Sequence, residues 1–136
     1  MTVGLVIVSH SAKIAEGVVE LAQQMAEEVR VLAAGGADGG EIGTSATKIA
    51  AAIEAADSGD GALVLVDLGS AVLSARMAIE ELVGDEHRGR VRISEGPLVE
   101  GAVIGAVQAS IGADLAEVDR AAEEASRMRK VKNGAG

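Results

Sequence analysis

With no cysteine among its 136 residues and only two histidines, the chain has few side chains able to do covalent chemistry. His10 closes the apolar run VGLVIVS and is flanked by Ser9 and Ser11. His87 lies between Glu86 and Arg88 in a charged stretch and reads as a solvated turn residue. A second apolar run, ALVLV at residues 62–66, ends on Asp67, Leu68, Gly69 and Ser70. If the two run ends meet, an imidazole faces a carboxylate among hydroxyls. A hydrolase would need a G-x-S-x-G elbow for its nucleophile, and none is present. A metal site takes three or four ligands, more than His10 and Asp67 supply. Accepting a phosphoryl group needs less: one imidazole nitrogen free, the other held by an acceptor, and donors for the phosphoryl oxygens. In that arrangement Asp67 holds Nδ1–H, Nε2 attacks, and Ser11, Ser70 and the helix-start amides beside Gly69 receive the oxygens. A strand-end histidine that only caps a helix or bonds a neighbour is the alternative, and residue types leave both open.

The elements that must position these groups follow from patterning. Residues 3–8 form a short β-branched run, typical of a parallel strand covered on both faces. Ile14, Val18, Leu21 and Met25 then recur at helical spacing, so a helix over residues 11–28 begins beside His10. VRVLAA at residues 29–34 is a second strand, followed by a glycine-rich loop over residues 35–43. Thr44 or Ser45 can cap the next helix, in which Ile49 and Ile53 face one way. The strand at residues 62–66 leads into a helix capped by Ser70, with Val72, Ala75, Ile79, Leu82 and Val83 as its buried stripe. Residues 84–89 read as a turn and 90–94 as an edge strand. After Gly96-Pro97, residues 98–112 resume as a helix, and Asp114 with Glu117 forms a capping box for a last one.

Strands and helices in alternation predict an α/β fold: a single three-layer domain over residues 1–132, with residues 133–136 as a fraying tail. Its mainly parallel four-stranded sheet has the order 2-1-3-4, an added edge strand being compatible with it, and helices on both faces. The first and third strands are then neighbours where the winding reverses, so His10 and Asp67 should face each other across a switch-point crevice.

Composition narrows the function. Hydrophobic residues make up 49% and aromatics 0%, which excludes a base-stacking platform. A net charge of −9 argues against nucleic acid or an anionic membrane as partner. No basic leader and no apolar run of membrane-spanning length is evident, so a cytoplasmic setting is expected.

VIVSHS at residues 6–11, Gly43-Thr44, DLGSA at residues 67–71 and PLVEG at residues 97–101 occur in an order that resembles the phosphotransferase subunit of the PTS-dependent dihydroxyacetone kinase. Its enzyme-IIA domain is related to the mannose-type IIA domains. The resemblance implies that His10 is phosphorylated by HPr and passes the group to ADP on a nucleotide-binding kinase subunit, which phosphorylates dihydroxyacetone held on another subunit. It also implies a homodimer, no cofactor bound by this chain, and Mg-ADP on the partner. Mannose-type domains usually carry glycine after the histidine and a Gly-Gly-x-Pro loop after the aspartate. His10-Ser11 and Gly69-Ser70-Ala71 favour the dihydroxyacetone branch. Mannose-type dimers exchange a C-terminal strand, but everything after Pro97 reads as helix, so that exchange is not carried over to this chain. Fused HPr-like and enzyme-I-like domains of some relatives are not found in this sequence, so the donor is expected in trans.

Thr44 is a candidate phosphoryl contact, with helix capping as its commoner role. Glu100 is either a contact to site or partner through the Pro97 bend or an ordinary first-turn glutamate. Alternative functions are a mannose-type IIA domain feeding a IIB domain, a phospho-regulated binding module, and a plain ligand-binding domain.

Overall fold

A computed structural model, described over residues 1–131, gives the elements in chain order as β1 (Gly4–Ser9), α1 (Ala12–Met25), β2 (Val31–Gly35), α2 (Ala46–Ala56), β3 (Ala62–Val66), α3 (Ser70–Met77), α4 (Asp85–Arg88), β4 (Val91–Ile93), α5 (Leu98–Ser110) and α6 (Leu115–Glu124). The fraying expected for residues 133–136 lies outside the described residues. All four strands are parallel in the order β2-β1-β3-β4, as the alternation predicts. Leu5 pairs with Val31 on one side and with Leu63 on the other. Every residue of β1 is buried, which is why its sequence is apolar without alternation.

The two-residue period of the strands divides the core into two layers. Leu5, Ile7, Leu63 and Leu65 pack against Ala15, Val18 and Ala22 of α1, Ala102 and Ala106 of α5, and Val118 and Ala122 of α6. Val6, Val8 and Val64 pack on the other face, against Ile49 and Ile53 of α2 and Ala71 and Ala75 of α3. Helices therefore meet the sheet largely through alanine. That corrects the expected stripe on α1, because Ile14, Leu21 and Met25 are about half exposed while Ala15 and Ala22 point inward. The cause is proximity. A Cβ on Gly35 would lie 2.7 Å from the Cα of Ala12, a separation with no room for isoleucine or leucine beneath the helix. On α5 the buried face is Gly101, Ala102, Gly105, Ala106 and Ala109, and Val99 is exposed.

Three further departures concern the segment after β3. α3 is capped by Gly69 and not by the Ser70 side chain. It ends at Met77 and continues as one π-turn over Ala78–Leu82, with the amide of Val83 donating to the carbonyl of Ala78 at 2.8 Å. The extra residue in that turn lets Ala78 and Val83 both face the core and turns Leu82 outward, unlike the stripe expected from a regular helix. The charged stretch expected as a turn contains the single-turn α4. The capping box of α6 forms as expected, with Asp114 accepting from the Glu117 amide and Glu117 accepting from the Asp114 amide, both at 2.9 Å.

Candidate functional site

β1 and β3 run side by side and end together, so the residues that follow them meet across one pleat. The amide of Asp67 donates to the carbonyl of Val8 at 3.1 Å, the last rung before the chains diverge. Beyond it the Asp67 carboxylate accepts four hydrogen bonds. Oδ2 takes the Ser9 hydroxyl at 2.9 Å and the His10 amide at 2.9 Å. Oδ1 takes the Leu68 amide at 2.7 Å and meets His10 Nδ1 at 3.0 Å. Burial alone pushes the Asp67 carboxyl up. The His10 amide and ring, the Ser9 hydroxyl and the Leu68 amide outweigh that effect and hold it below the usual carboxylate range.

An ionised carboxylate is acceptor only, so the proton shared with His10 belongs to Nδ1, and in the neutral ring Nε2 keeps its lone pair. Nε2 meets the Ser70 hydroxyl at 2.9 Å. The His10 side chain is 22% exposed. α3 starts at Ser70 without a side-chain cap; the Ala71 and Val72 amides donate to the carbonyls of Leu68 and Gly69 at 3.0 Å each, which leaves the amides of Gly69 and Ser70 without a backbone acceptor among the described residues. An open groove of about 590 Å³ runs up to Asp67 along the carboxyl ends of β3 and β4, lined in part by Val72, Arg76, Ser94 and Glu95.

Ser11 caps α1, its oxygen accepting from the Ile14 amide at 3.3 Å while its proton stays available. Ser70, expected as a helix cap, instead turns its hydroxyl to the imidazole. Of the two capping candidates after the glycine-rich loop, Ser45 caps α2 by accepting from the Lys48 amide at 3.1 Å. Thr44 Oγ1 pairs with Ser74 Oγ at 2.6 Å, and the Gly43 amide donates to the His10 carbonyl at 2.9 Å. Glu100 is paired with Lys130, and that ammonium holds its carboxyl below the usual range.

Ser9 does work that its residue type does not announce. It is fully buried, accepting from the Ser11 amide at 3.0 Å while donating to Asp67, and the available signal is a polar residue ending an otherwise apolar strand. His87, expected as a solvated turn residue, is largely covered and paired. Its Nδ1 lies 2.7 Å from Oδ2 of Asp57, whose side chain is fully buried and also meets Arg90 Nη2 at 2.9 Å. That partner is 30 residues away in sequence, so nothing local to the turn announces it. Among the described residues no three histidine, aspartate or glutamate side chains gather as they would around a metal ion.

Chemically, the site holds one imidazole with Nδ1 fixed on a carboxylate, Nε2 beside a hydroxyl, and a partly exposed side chain. It can accept and release an electrophilic group carrying negative oxygens.

A family model described as the PTS system fructose IIA component matches residues 4–119. A protein of Escherichia coli (strain K12), the phosphoryl donor subunit DhaM of PEP-dependent dihydroxyacetone kinase, is 45% identical over 120 residues, covering 85% of this chain and 25% of that protein. The Lactococcus lactis subsp. lactis (strain IL1403) phosphotransferase subunit DhaM of PTS-dependent dihydroxyacetone kinase is 37% identical over 124 residues, covering 91% of this chain and 96% of that protein. The chain thus spans about a quarter of the first relative and nearly all of the second. A crystal structure of the unknown-function protein EF1359 superposes with a TM-score of 0.83 at 33% identity, covering 98% of this chain and 100% of that one.

Proposed function

The chain belongs to the PTS fructose IIA component family, in the branch of the dihydroxyacetone kinase phosphotransferase subunits, and from that membership we propose that it carries a phosphoryl group on Nε2 of His10. The donor is the phosphohistidine of HPr. The Nε2 lone pair attacks phosphorus, the donor's P–N bond breaks, and its electron pair returns to the donor imidazole. The proton on Nδ1 stays where Asp67 holds it, and the carboxylate stabilises the imidazolium-like ring that forms. Ser70, Ser11, Thr44 and the amides beside Gly69 receive the phosphoryl oxygens. In the second half-reaction a terminal oxygen of ADP, bound with magnesium on the nucleotide-binding kinase subunit, forms the new P–O bond while the P–N electrons return to Nε2. The resulting ATP phosphorylates dihydroxyacetone on a further subunit. This chain needs no cofactor of its own for either step, because a phosphoramidate already carries a good leaving group.

The reading is supported above all by one arrangement, His10 Nδ1 at 3.0 Å from an ionised Asp67 with Nε2 turned to a hydroxyl at the strand ends. The negative charge of Asp67 opposes an arriving phosphoryl group. Its hydrogen bond to the ring grows stronger as positive charge develops there, which offsets the repulsion. The same membership leads us to expect a homodimer in a cytoplasmic setting.

The test is labelling. Incubation with labelled phosphoenolpyruvate, enzyme I and HPr should give acid-labile, base-stable phosphate on His10, mapped by mass spectrometry, and none in His10→Ala. Adding the ADP-loaded kinase subunit should discharge it. Discharge by a IIB domain alone would favour the sugar-transport alternative, and inertness to every acceptor a signalling role. A label on any other residue would sink the assignment.

A further inference from the structure

Ser74 lies four residues beyond Ser70 on α3, so both hydroxyls project from one face of the helix, about 6 Å apart along its axis. Ser70 reaches His10 Nε2. Ser74 meets Thr44 Oγ1 at 2.6 Å, across from the other wall of the crevice. Thr44 follows Gly43, whose amide holds the His10 carbonyl and whose φ of 147° is a conformation side chains rarely adopt. The loop leading there is pinned at its base, with Lys48 Nζ donating to the carbonyls of Ala37 at 2.7 Å and Gly35 at 3.3 Å. Backbone and lysine thus fix where Thr44 stands. The contact with Ser74 fixes which way its hydroxyl points.

Two hydroxyls bring two protons, and the bond between them uses one. The second proton has no acceptor among the described residues. A phosphoryl group on Nε2 would bring three oxygens that need donors, and Ser70, one turn before Ser74, is already at Nε2. We propose that Ser74 is a positioning residue for phosphoryl transfer: it anchors the Thr44 hydroxyl so that the pair offers one oriented O–H donor to the group on His10. This inference rests on His10 being the phosphoryl carrier. In that arrangement Ser74 donates to Thr44, which polarises the Thr44 hydroxyl and makes it a better donor.

The experiment compares Ser74→Thr with Ser74→Val, which share a shape and differ in the hydroxyl, in the full chain. Rapid-quench labelling from phospho-HPr gives the maximal transfer rate and the HPr concentration at half that rate. Thermal unfolding by far-ultraviolet circular dichroism confirms that each variant is folded. The Thr variant should transfer about tenfold faster than the Val variant, the scale of one lost hydrogen bond, at an unchanged half-saturating HPr concentration. Thr44→Ala should slow transfer to a similar extent, and adding Ser74→Val to it should slow it less than about twofold more, because the two act as one unit. Equal rates for the Thr and Val variants, or losses that multiply in the double variant, would overturn the role of Ser74 while leaving His10 labelled. Absence of label on His10 in the unaltered chain would remove the carrier reading and this inference together.

Discussion

Replacing Asp67 by asparagine changes one oxygen for an amide nitrogen and leaves the shape of the site almost untouched. The carboxylate accepts two hydrogen bonds on each oxygen, and three of the four donors are nitrogens: the His10 amide, His10 Nδ1 and the Leu68 amide. An asparagine amide placed at Oδ2 faces the His10 amide donor to donor. Placed at Oδ1, it faces the Leu68 amide in the same way and forces Nδ1 to accept, moving the ring proton to Nε2. Either rotamer orphans one backbone amide, at a cost of about 1–3 kcal/mol. Tm should therefore fall by roughly 3–15 °C, at about 3–5 °C per kcal/mol for a chain of this size. The effect on transfer should be far larger. With the amide at Oδ1 the proton sits on Nε2 and the nucleophile is gone, a tautomer error that in a serine protease lowers turnover about 10⁴-fold, and with the amide at Oδ2 the ring loses the negative charge that stabilises its imidazolium-like form. We expect His10 labelling to slow by about 10³-fold or more, measured by rapid quench at 25 °C with the variant shown folded. Labelling within tenfold of the unaltered rate would refute the orienting role of Asp67.

Asp57 gives a second expectation, concerning pH. Burial pushes its carboxyl up, but Arg90, His87 and the amides of Gly59 and Gly61 hold it far below the usual range. A depressed folded value means that the cluster stabilises the fold above about pH 4 and loses that contribution as pH falls further. Asp57→Asn should lower Tm at pH 7 and flatten its decline below about pH 4; an acid limb with the same slope as the unaltered chain would contradict this. At Gly4 a Cβ would lie 2.3 Å from the carbonyl oxygen of Ala56, so Gly4→Ala must push α2 away from β1. A loss of about 2 kcal/mol in urea unfolding is expected, and a neutral result would show that the layer yields more easily than its packing implies.

The scaffold is legible in the sequence wherever one residue type dominates a whole element. β1 and β3 are continuous apolar runs because both of their faces are covered, and the reversal of winding between them is enough to set His10 beside Asp67. The capping box of Asp114 and Glu117 is local chemistry and forms as its residue types imply. The inward faces of α1 and α5 are not legible, because periodicity weights large side chains while this core meets its helices through alanine and glycine. Ile14 and Leu21 therefore mark the wrong side of α1. Ser9, Ser74 and His87 escape for another reason: their partners are 58, 30 and 30 residues distant, and hydroxyls and imidazoles carry no period that points to a distant contact.

The sheet carries an aspartate–imidazole contact at each of its two poles, Asp67 with His10 where β1 and β3 finish and Asp57 with His87 just ahead of where β3 begins. The two are alike at Nδ1 and differ at Nε2, which has the Ser70 hydroxyl for a neighbour in one case and the Glu86 carboxylate, 3.9 Å away, in the other. A carboxylate in that place repels an anionic reagent, so the pole at β3's start suits a clasp, and the opposite one is the pole that the proposed function needs open to exchange. Surveys that flag such couples by contact alone would report two active centres here, and the environment of the outer nitrogen is what separates a fastener from a reagent.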